Sequence, residues 1–132
     1  MRALTLILAT LIVALAGAGV GQAEARKATA SERTAIVAAW EKRLGIDESP
    51  ACKRTWIIRV AQSKPRLAAI TGHSRLRARH DCLVGDGYGM MRRPTPKSTR
   101  WRVLYMTSGE APSCKLTPPR VSRQLGFGGE CS

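Results

Sequence analysis

A chain of 132 residues with 22 Lys and Arg against nine Asp and Glu carries a formal net charge of +13 and has room for one domain. That charge disfavours an inhibitor of basic, lysozyme-like enzymes, because like charges repel, and points to anionic partners. Three Trp, two Tyr and one Phe are few anchors for a core, and four cysteines are placed to supplement it.

Met1-Arg2 is a short basic start, Ala3 to Ala18 is apolar apart from Thr5 and Thr10, and Gly19 to Ala23 is a run dominated by small residues. This order is that of a secretory signal peptide, cleaved after Ala23 or Ala25. The apolar run of 16 residues falls short of the ~20 that a spanning helix needs, so a membrane anchor is disfavoured. The expected division is a signal peptide over 1–23 and one exported domain over 24–132, secreted or periplasmic. Cys52, Cys82, Cys114 and Cys131 then fall in an oxidising compartment, where an even count reads as two disulfides. Three pairings are open; the sequential one, Cys52–Cys82 with Cys114–Cys131, is favoured. Zinc is disfavoured for want of a C-x-x-C knuckle, and no metal or cofactor is expected.

Arg26 to Ala30 reads as a polar lead. Thr29 followed by Glu32 is a capping-box pattern, Ile36, Val37, Trp40 and Leu44 share one helical face, and Gly45 stands where a helix ends. The spacing predicts a helix over about 31–44 whose apolar face needs a sheet to cover. Ile46 to Ala51 reads as a turn. Arg54 to Ala61 alternates as a strand, Gln62 to Pro65 as a hairpin turn, and Arg66 to Thr71 as a weaker strand. Gly72 to Asp81 is polar and basic and reads as a loop. Leu83 to Arg93 puts Gly85, Gly87 and Gly89 on one face, which allows a helix to pack against it. Arg93 to Lys97 is a turn. Arg100 to Thr107 sets Trp101, Val103 and Tyr105 against Arg102, Leu104 and Met106; its bulk makes it the expected central strand. Pro118-Pro119 opens a short helix with Val121 and Leu125 on one side and Gly126 at its end.

The fold class is therefore α+β: an N-terminal helix packed on a four-stranded antiparallel sheet, with a short C-terminal helix and a disulfide-clipped tail. The outline is similar to cystatin-like and NTF2-like folds, scaffolds that host many functions. Glu32 to Ile36, Cys52, Arg59-Val60, Arg100 to Val103, Cys114, Pro119 to Val121, Leu125-Gly126 and Cys131 resemble a pattern of small exported bacterial proteins. That resemblance implies a two-disulfide α+β domain and lends no catalytic residue.

Charge is the strongest functional signal. Between Lys53 and Arg102 stand 13 basic residues and only Asp81 and Asp86. Arg75, Arg77, Arg79, Arg92, Arg93, Arg100 and Arg102 are the candidates for holding a polyanion, with Arg54, Arg59 and Arg66 adding charge. The expected function is a non-catalytic binding or interaction domain for an anionic polymer, envelope component or acidic protein. Nucleic acid is disfavoured, since no DNA or RNA module is present and few aromatics are free to stack on bases. The alternatives are a secreted enzyme inhibitor and a small phosphodiester-cleaving hydrolase using His73 and His80 as base and acid. Facing imidazoles in a cleft would favour the hydrolase; a one-sided arginine surface would favour the binder. No G-x-S-x-G, H-E-x-x-H or P-loop pattern occurs.

Overall fold

A computed structural model describes residues 25–84, 87–108 and 111–127. The expected signal peptide, and Cys131 with the end of the tail, lie outside the described residues. The chain is α+β, with a five-stranded antiparallel meander. The elements are β1 (Arg26–Lys27), α1 (Ala30–Leu44), α2 (Pro50–Thr55), β2 (Trp56–Val60), β3 (Leu67–Gly72), α3 (Ser74–Arg79), β4 (Tyr88–Arg92), β5 (Arg102–Thr107) and α4 (Pro119–Leu125). The strands lie side by side in sequence order.

Helix α1 begins and ends as its sequence dictates. Thr29 Oγ1 accepts from Glu32 N–H while the Glu32 carboxylate accepts from Thr29 N–H, and Gly45 closes the helix with φ +69°. Ile36, Val37 and Trp40 face the sheet and bury Trp56, Ile58, Val60, Ala68, Ile70, Met91 and Trp101. Gly89 is the seat of Trp40: a Cβ there would stand 2.9 Å from Trp40 Cε3. The bare face of β4 is thus what lets the helix approach. On the other side of the sheet, Val121, Leu125 and Phe127 cover Ala61, Leu67, Ala69 and Met90.

Four expectations need correction. The sheet has five strands, not four: the polar lead becomes β1, which pairs Arg26 with Val60 and Lys27 with Arg59. The supposed turn around Pro50 begins a short helix, capped by Ser49 and started by proline. The basic stretch after Gly72 is not a loop but α3, with His73 as its N-cap. The central strand is β3, and β5 lies at the edge. β3 looks weak because it alternates nothing: Leu67 to Ile70 are all buried, since helices cover both faces. In β5 the register slips at Met90/Met91, so Met91 faces Val103 and Met90 faces Tyr105. Leu104 is the extra residue of a bulge, and Tyr105 therefore packs with the α4 side while Trp101 and Val103 pack under α1.

Disulfide Cys52–Cys82 ties α2 to the segment after α3. Cys114 is also disulfide-bonded.

Candidate functional site

An up-and-down meander sends the β2–β3 turn and the β4–β5 turn out at the same end of the sheet. The first is closed by Ala61 N–H to Leu67 O at 3.0 Å and Leu67 N–H to Lys64 O at 2.9 Å, which places Lys64 and Arg66 at its tip. Arg92 ends β4 opposite Leu67 and Arg102 starts β5 opposite Arg92. The chain after β5 returns over the α4 side; Thr117 is buried there, its hydroxyl 2.8 Å from Met90 Sδ, and the turn before it presents Lys115. Lys64, Arg66, Arg92 and Lys115 line a cleft of about 420 Å³ with Ser63, Pro65, Leu67, Pro96 and Leu116. None of the described lining residues is acidic. None of its four cations is in an ion pair among the described residues. Arg102, across the ladder from Arg92, adds a fifth positive charge beside it. Like charges so placed repel one another, and an anion bound between them would offset that cost.

The seven arginines expected to hold a polyanion divide three ways. Arg92 lines this cleft and Arg102 lies opposite it on β5, with Arg100 exposed at the same end. Arg75 and Arg79 are exposed on α3, beyond the far end of β3, and do not join them. Arg77 and Arg93 are corrections: both are buried, at 0% and 4% exposure, and neither can meet a polymer. Each is instead held by a glutamate and a tryptophan. Arg77 pairs with Glu48, donates to Thr55 Oγ1 at 2.7 Å and Cys52 O at 3.2 Å, and lies 3.6 Å from the Trp56 ring centroid. Trp56 Nε1–H in turn donates to Glu48 at 3.2 Å. Arg93 pairs with Glu32 at 3.0 Å, donates to Pro65 O at 2.9 Å and stacks 4.5 Å from the Trp101 ring centroid. Arg93 thereby braces the β2–β3 turn that carries Lys64 and Arg66.

Glu32 is the other anchor of this end. It receives Arg26 at 2.7 Å as well as Arg93. The Arg26 hydrogen bond, opposed by partial burial and aided by Thr29 N–H and the two guanidinium charges, lowers its carboxyl to about 2. Arg33, partly desolvated and lowered for that reason, donates to the carbonyls of Lys53, Arg54 and Trp56 and so terminates α2.

His73 and His80 sit at opposite ends of α3, about 10 Å apart by the rise of a helix. His73 Nδ1 accepts from Leu76 N–H, and His80 is the C-cap. The two imidazoles do not face each other across a cleft, so nothing in the arrangement favours the hydrolase. The described residues that gather ligand atoms are Glu48, Cys52 and Cys82, within 4.8 Å of one another. They do not fit a metal: the sulfurs are bonded to each other and Glu48 holds Arg77. Among the described residues no helix is long and apolar enough to cross a membrane.

Lys64 and Lys115 escaped the sequence reading, and Arg66 entered it only as general charge. A signal for Lys64 and Arg66 was present, since a meander brings alternate turns to one end. Lys115 carried none, because the return of the chain after β5 has no periodic pattern. Comparison with family models, curated proteins and solved structures finds no match to this chain.

Proposed function

We propose that the protein is an exported, non-catalytic domain that binds an anionic polymer through the cleft formed by Lys64, Arg66, Arg92 and Lys115, with Arg102 beside it. The observation that carries this reading is the convergence of these cations, from three separate segments, with no carboxylate among the described lining residues. Export rests on the signal pattern at the N-terminus, and the Cys52–Cys82 disulfide suits it. An anionic polymer of the bacterial envelope matches both the charge and the compartment implied by the resemblance to small exported proteins. An acidic polymer displaces the counterions gathered at the cleft, so affinity falls steeply with salt.

The test compares the oxidised protein with two charge-reversed variants. One changes Lys64, Arg66, Arg92 and Lys115 to Glu; the other changes Arg75 and Arg79 to Glu. Binding to teichoic acid, heparin and RNA is titrated from low salt to about 0.5 M, where exposed charges are screened within a few ångströms. The wild type is expected to bind the polymers at low salt and to release them as salt rises. The cleft variant should lose binding, while the α3 variant keeps most of it. Equal losses in the two variants would reduce the site to bulk charge, and salt-independent or absent wild-type binding would end the polyanion reading.

A further inference from the structure

Among the described residues, the sheet is open along the Arg102 to Met106 edge. The backbone of Arg102 to Met106 makes no hydrogen bond beyond the β4 ladder, and no other described strand pairs with the outer side of that stretch. Between this edge and α1 lies a second hollow, of about 410 Å³. Ala39, Trp101 and Val103 form its apolar part, and Lys42, Arg43 and Arg102 its cationic part. None of these three cations is ion-paired among the described residues. Met106, 42% exposed, continues the apolar strip on the same side of β5.

An open row of amide and carbonyl groups accepts an extended chain, and the side chains next to it choose which one. We propose that the β5 edge receives an extended acidic segment of a partner protein as a sixth strand. Its apolar side chains rest on Val103 and Ala39, and its carboxylates meet Lys42, Arg43 and Arg102. A second copy of this chain is the wrong occupant. Antiparallel pairing of two β5 edges would set these cations against their own kind, and juxtaposed like charges suppress a partner. Arg102 and the Leu104 bulge are also devices that keep an edge from joining its twin. An acidic strand turns the same charges into attraction. This surface lies on the α1 side of the sheet and the polymer cleft on the α4 side; Arg102 borders both, whereas Lys42 and Arg43 belong to this surface alone and Lys64, Arg66, Arg92 and Lys115 to the cleft alone, so variants of those residues separate the two proposals.

The probe is a synthetic heptapeptide alternating Glu with Val and Thr, titrated into the oxidised chain at 0.15 M salt, where charges more than about 8 Å apart are screened. Trp fluorescence and calorimetry read the binding. A second peptide of identical charge carries N-methyl groups on alternate amides, which removes strand donors without touching the protein. The expected result is a loss of about tenfold or more for the methylated peptide, and a similar loss for the Lys42→Gln/Arg43→Gln variant with the unmethylated one. The cleft variant carrying Glu at positions 64, 66, 92 and 115 should bind the peptide nearly as well as wild type. Equal binding of the two peptides would show charge attraction without strand pairing and overturn the proposal, as would absence of binding. A concentration-dependent dimer that the peptide fails to dissociate would assign the edge to a second copy instead.

Discussion

Replacing Arg77 by Met should cost far more than removing one surface charge. The guanidinium is fully buried and occupied on every side: Glu48 on one terminal nitrogen, Thr55 Oγ1 and Cys52 O on the other, and Val84 O on Nε. Met fills much of the volume but leaves the Glu48 carboxylate, 1% exposed, without its cation. Removing one partner of a buried ion pair typically costs about 3–5 kcal/mol, because the remaining charge stays out of water. Urea unfolding with the disulfides intact, followed by circular dichroism, should show that loss in Arg77→Met. Glu48→Gln should be destabilising too, through an uncompensated guanidinium. In the double variant neither charge remains, and Gln still accepts from Trp56 Nε1–H, so its loss should fall short of the sum of the singles by about 1–3 kcal/mol. Additivity within about 0.5 kcal/mol, or a loss below about 1 kcal/mol in Arg77→Met, would refute the reading of Arg77 and Glu48 as a mutually dependent buried pair. The same reasoning forbids the use of an Arg77 charge reversal as a binding test, because it would unfold what it was meant to probe.

Two further outcomes follow from single contacts. Gly89→Ala should destabilise by about 1–3 kcal/mol through overpacking against Trp40, and Trp40→Phe in the same chain should recover part of that loss by clearing the ring atoms that the new methyl meets; thermal unfolding of the singles and the double checks it, and additive losses would mean that the ring moves aside freely. Glu32 is ionised down to about 2 in the folded chain against an ordinary 4.5, so its contribution to stability is full above the ordinary value and is lost as pH falls through about 2. Denaturation midpoints measured from pH 5 to about 2 should therefore fall more steeply in wild type than in Glu32→Gln, and parallel slopes would show that Arg26 and Arg93 gain nothing from the charge.

Where one local rule decided the outcome, the sequence was legible. Thr29, Glu32 and Gly45 bound α1 because caps satisfy backbone groups within a few residues. Gly89 announced a close approach because a missing Cβ is informative by itself. The Cys52–Cys82 pairing was favoured among three and is present. Elements whose stability is tertiary were not legible. Ala68 and Ala69 in β3 are too small to look like a central strand, yet they lie there because helices press on both faces. Bulk in β5 suggested a centre, but the bulge at Leu104 splits that bulk between two sides of an edge strand. For α3, six residues with no apolar repeat gave no helical period; a histidine cap and one buried arginine hold it instead. Burial of arginine was the deepest gap, since a charge count treats Arg77 and Arg79 alike.

The acids explain why the cleft is so positive. Five of them fall among the described residues, and Glu32, Glu41, Asp47 and Glu48 are each in an ion pair, leaving Asp81 as the one that is not. Three of those four, Glu32, Glu41 and Glu48, have side chains no more than 10% exposed. A basic surface that arose from an arginine-rich composition alone would carry its acids scattered between its cations, and neighbouring charges would neutralise one another. Here three of the five described carboxylates, Glu32, Glu41 and Glu48, are drawn into the joints of the fold, at the start of α1, under α2 and behind Arg77. Each internal pair removes one charge of either sign from the exterior, so the excess is left outside with little to balance it. Lys64, Arg66, Arg92 and Lys115 then line one cleft without a counter-charge among its described lining residues. The same device that stabilises the interior thereby sharpens the exterior, and this supports the proposal that the cleft receives an anion.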